Sequence, residues 1–154
     1  MTGQCRWLGI EPTLAALAGS RWSEWPPHQR AAVLDVLDAF WSRTLGTHPG
    51  PYDVGDVLCG FGMLVPDVAA LIGRWHLADG AAAQHLRDLV IAKGHLAGPY
   101  RAPPYWSPDS AAVVLDWLRS PALVDAVTAA AAATTDPAVL DALDETDRYL
   151  AAMR

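Results

Sequence analysis

The chain has 154 residues, a formal charge of −6 and a hydrophobic fraction of 52%. That size suits one domain covering a single core, and the composition excludes the disordered and fibrous classes. Its 11 basic residues stand dispersed against 17 carboxylates, so no cationic surface forms and nucleic acid is not an expected partner.

The opening MTGQCRWLGIEP has no apolar h-region, and no secretory signal is expected. Strand signals are weak throughout: Ala and Leu dominate, and apolar residues recur at three- and four-residue steps. The expected fold class is therefore all-α. A short helix is expected over 11–19. A long one follows over 27–45, with Val33, Leu37, Phe40, Trp41 and Leu45 on one face. Pro26 and Pro27 can open it because the first helical turn has no use for those backbone N–H groups. Gly46, His48, Pro49, Gly50 and Pro51 then make a turn-rich break.

Helices are expected next over 53–64 and 66–77, with Asp67 at the positive end of the second. Another spans 81–95 and buries Leu86, Leu89 and Val90. The segment AGPYRAPPYW (97–106) cannot be regular helix. Ser107-Pro108, Ser120-Pro121 and Asp136-Pro137 each have the order of an N-cap followed by a first-turn proline, and they place helices over 108–119, 121–133 and 137–153. The longest bulky apolar run, Val57 to Val65, has nine residues and stops at Pro66. Crossing a bilayer takes about 20, so no membrane span is expected.

Two internal echoes bear on architecture. PTLAALAGSRW (12–22), PDVAALIGRW (66–75) and PALVDAVT (121–128) recur at spacings of 54 and 55 residues. WPPHQRAAVLDVL (25–37) and WSPDSAAVVLDWL (106–118) share seven of thirteen positions without a gap. Self-similarity at a fixed period marks helical repeats, here about 12–52, 53–106 and 107–154 within a single domain of residues 1–154. Units of two or three helices resemble HEAT and armadillo-type arrays. That resemblance implies a compact right-handed stack of about seven helices, and an irregular bundle is the alternative. CGFGMLVPDVAALIGRW (59–75) and AAVVLDWLRSPALVDAV (111–127) are also similar to high-GC bacterial helical proteins, a resemblance that implies a fold class and no activity.

Chemistry-bearing motifs are sparse. Cys5 and Cys59 form no CxxC pair, which fits a reducing cytoplasm, and Cys59 lies among apolar neighbours as a small buried hydrophobe. The five histidines include no HExxH and no pair at helix-neighbour spacing, so a metal site would have to be assembled from distant segments. No metal and no cofactor is expected. His85 and Asp88 stand at i,i+3, and His48, Tyr52, Asp53 and Asp56 cluster around one turn. GxSxG, P-loop and complete GxGxxG motifs are absent, and no catalytic residue is assigned.

Seven tryptophans are many for this length. Those at helix joints are expected to bury a rigid surface while the indole N–H finds a carbonyl at a helix end. Arg21-Trp22 and Arg74-Trp75 are read as one duplicated packing role. The best binding candidates are His95, Tyr100, Arg101, Tyr105 and Trp106 in and beside the proline-stiffened loop, together with Trp25.

The leading functional expectation is a cytoplasmic protein-interaction module of immunity or adaptor type, because stacked helices offer an extended surface. Its partner would be a protein, and a basic one would be drawn to Asp136, Asp141, Asp144, Glu145 and Asp147. The alternative is a small-molecule-binding protein or minor enzyme with an aromatic pocket near residues 95–106.

Overall fold

The computed structural model describes residues 11–65, 67–94 and 107–153, and among these the backbone forms eight α-helices, one 3-10 turn and no strand. In chain order they are α1 (Glu11–Gly19), the 3-10 turn Trp22–Glu24, α2 (Pro27–Leu45), α3 (Val54–Gly62), α4 (Val68–Ile72), α5 (Gly80–Gly94), α6 (Pro108–Leu118), α7 (Pro121–Ala133) and α8 (Pro137–Ala152). The all-α expectation holds, and each of the eight helices falls where one was expected in chain order.

Capping explains most of the helix starts. Ser107 Oγ accepts from the Ser110 N–H, Ser120 Oγ from the Leu123 N–H and Asp136 Oδ1 from the Ala138 N–H, each ahead of a first-turn proline. Asp53 and Asp67 cap α3 and α4 in the same way. Each such side chain satisfies a donor that the helix itself leaves unpaired.

The expected helix over 66–77 is a correction. Among its described residues only Val68–Ile72 is helical. Gly73, a poor helix former, is followed by Arg74 and Trp75, whose N–H groups donate to Leu71 and Ile72 in a tightened last turn. Trp75 then leaves the helical path. Its ring meets Trp41 edge-on at 5.6 Å, and its indole N–H donates to the Ala82 carbonyl at 2.9 Å. Burial of one indole outweighs another helical turn.

The helices form a compact bundle whose contacts do not follow chain order. The most extensive pairing joins α5 to α8 across α6 and α7, while α4 packs on α6 and α3 lies among α1, α2, α4, α5 and α6. Leu86, Leu89 and Val90 of α5 and Ala142, Leu143 and Leu150 of α8 are all closed to solvent, and the two helices pack together. Thr146 of α8 is fully buried, and its hydroxyl donates to the Ala142 carbonyl one turn back. Close approach also requires a small residue at Gly62, where an added Cβ would stand 2.8 Å from Ser110 Oγ. None of the helices among the described residues is long and apolar enough to cross a membrane.

Candidate functional site

Two places in this bundle expose chemistry. The first is the turn between α2 and α3 where it lies against α5. His85, on the buried face of α5, points its Nε2 at the Thr47 carbonyl, 2.9 Å away. A carbonyl only accepts, so Nε2 carries the proton and Nδ1 presents the lone pair of the neutral ring. His48 Nε2 lies 2.8 Å from Asp88 Oδ2, and a carboxylate likewise accepts. His48 Nδ1 is buried and has no hydrogen-bond partner. The two imidazoles stand edge to face with centroids 4.8 Å apart.

Asp88 is also held by Arg87, whose Nη2 and Nε donate to Oδ1 at 2.7 and 3.1 Å. Burial pushes the Asp88 carboxyl up, but the hydrogen bonds from His48 and Arg87 and the attraction of their charges outweigh it. The carboxyl therefore titrates below its ordinary value of 3.8 and stays ionised at neutral pH. One imidazole nitrogen from each histidine and one Asp88 oxygen lie within 4.8 Å of one another, the donor types that hold a divalent transition metal.

A cavity of about 340 Å³ lies against this turn and includes Thr47 and Gly50 in its wall. Phe40 and Tyr52, their rings tilted at 39° with centroids 5.6 Å apart, give it an aromatic side, and Arg43 supplies a guanidinium. A Cβ on Gly50 would come within 3.8 Å of His85 Cε1, so the histidine cluster sits directly behind that wall.

The second place is an open groove of about 600 Å³ between the first half of α2 and the end of α3. Its lining is mostly apolar: Trp22, Ala31, Leu34, Met63, Leu64 and Val65, with Arg30 the charged contributor. Arg21, at φ 55°, swings the chain out of α1 and is held in an ion pair with Glu24. That left-handed step costs about 1 kcal/mol for a non-glycine residue. It sends Trp22 into the core and leaves Trp25, two residues before Pro27, 37% exposed.

Of the expected binding residues, only Trp25 falls among the described residues, and it lies beside the groove. His95, Tyr100, Arg101, Tyr105 and Trp106 lie outside them. His48 and the His85–Asp88 pair were separate candidates in the sequence. The fold joins them across about 40 residues, a relation that no local spacing announces. Of the residues grouped with His48, Tyr52 packs its ring at a tilt against Phe40 and Asp53 caps α3. Cys59 is buried in the core as expected. The chain matches no family model, and no curated protein or solved structure shows significant similarity to it.

Proposed function

We propose that the protein is an interaction module whose α2 groove receives an amphipathic helix bearing basic residues on its outer face. The observation that carries this reading is the run of uncovered apolar side chains at the groove. Leu34 is 45% exposed and Met63 36%, beside a cavity walled by Trp22, Leu64 and Val65. Contiguous apolar surface of this kind marks an interaction site more often than isolated exposed residues do. A helix lying in a groove fills it with side chains at i, i+3, i+4 and i+7. The basic character follows from the net charge of −6, which favours encounter with a cation-rich partner, and from Asp35, exposed beside Leu34.

Titration of a leucine–lysine amphipathic peptide, read by tryptophan emission, tests the reading. Leu34→Glu is expected to weaken binding by at least about 30-fold, the scale of an interface hot spot. Val113→Glu, at a comparably exposed position on α6, adds the same charge and is expected to leave binding intact. Equal affinity for both variants shows attraction by net charge alone and removes the groove from the account.

A further inference from the structure

We propose that His48, His85 and Asp88 form a binding site for one divalent transition-metal ion of the zinc class. Zinc takes imidazole nitrogen and carboxylate oxygen at about 2.0–2.2 Å and accepts four-coordinate geometry with a water or substrate in the remaining position. The donors come from two elements, His48 from the α2–α3 turn and His85 and Asp88 from α5, so the ion would tie the turn to the helix.

The ordinary alternative is a polar clamp in which each group is satisfied by its neighbours. One atom argues against it. His48 Nδ1 is buried without a partner, whereas buried polar atoms in folded proteins are nearly always hydrogen-bonded. With Nε2 on Asp88 and Nδ1 unsatisfied, His48 has a lone pair to give whichever nitrogen faces the ion.

The surroundings have the form of a metal site's outer shell. His85 donates Nε2–H to the Thr47 carbonyl, which fixes its tautomer and leaves Nδ1 as a ligand. Arg87 grips Asp88 through Oδ1 and leaves Oδ2 on the His48 side. Asp88 then offers Oδ2 as the third donor. Donors now within 4.8 Å must draw in to about 3.3 Å, the separation two ligands take at tetrahedral zinc. His48 stands outside the helices, between Leu45 and Val54, where its side chain can shift without breaking helical hydrogen bonds.

The test titrates zinc chloride into the metal-free full-length protein in competition with a chromophoric chelator. The expected result is one tightly held ion per chain. His48→Gln, His85→Gln and Asp88→Asn should each weaken binding by at least about 100-fold, beyond the effect of losing an outer-shell partner. His28→Gln, at an exposed position on α2, should change nothing. Should the variants fail to fold by circular dichroism, the wild type decides through its histidine ring resonances. Zinc-dependent shifts confined to His48 and His85 support the site, and shifts at His28 or His76 instead overturn it. Absence of zinc uptake, or uptake equal in a folded His48→Gln/His85→Gln double variant, also overturns it.

Discussion

The two halves of α2 both carry apolar side chains but put them to opposite ends. From Leu37 onward the helix buries Leu37, Trp41 and Leu45 against α3, α4 and Trp75, and Trp41 is inaccessible to solvent. Before that point Leu34 and Val36 stand 45% and 66% exposed. Both halves carry Ala, Leu, Arg and Asp, and only the second adds aromatic residues, Phe40 and Trp41. Cover differs, because the bundle lies over one half and leaves the groove beside the other. Surface that a core would claim is thereby left for a partner.

The comparison breaks most severely at Trp41. Its indole N–H donates to the Leu71 carbonyl at 3.0 Å and its ring meets Phe61 and Trp75, so Trp41→Ala is expected to destabilise the fold by about 3–5 kcal/mol in urea unfolding. Leu143→Ala on the buried side of α8 should cost about 2–5 kcal/mol by the same mechanism of lost transfer energy and residual cavity. Asp136→Ala removes the α8 cap and should cost about 1 kcal/mol, read as a shift in the urea midpoint with the slope unchanged. On the open half, Leu34→Ala should stay within about 0.5 kcal/mol of wild type while weakening peptide binding. Trp41 and Leu34 thus separate stability from binding along one helix.

Acid sharpens a different edge of the molecule. The folded-state pKa of Asp88 is lowered, so its stabilising contribution is complete above the unfolded value, near the ordinary 3.8, and drains away as pH falls through the lower folded value. Asp88→Asn should therefore flatten the acid limb of the stability profile and leave its neutral-to-alkaline limb in place. Unfolding midpoints measured across that limb check the sign.

Much of this fold is legible from local signals. The stripe Val33, Leu37, Phe40, Trp41 and Leu45 is buried or half-buried throughout, and the serine and aspartate caps open α6, α7 and α8 where their prolines indicate. Such features depend on residues within one or two turns of each other. The early end of α4 is less legible because it depends on Trp75 reaching Trp41 and Ala82, a tertiary gain that local periodicity does not encode. The histidine cluster is least legible. His48 and Asp88 are about 40 residues apart, and only the packing of the α2–α3 turn on α5 brings them to 2.8 Å. The groove falls between these cases: Trp25 stood out as a candidate, while Leu34 and Met63 look like any core residue until their cover is known.

The indole protons of Trp41 and Trp75 form two internal clasps, one onto the end of α4 and one onto the start of α5. Both residues are buried, whereas Trp25 is 37% exposed. In deuterated water the first two protons should be released only by openings large enough to part the helices, and the third should exchange as freely as in a short peptide. One nitrogen-resolved spectrum followed over time would thus carry a slow clock for the whole bundle and a fast one for its uncovered edge.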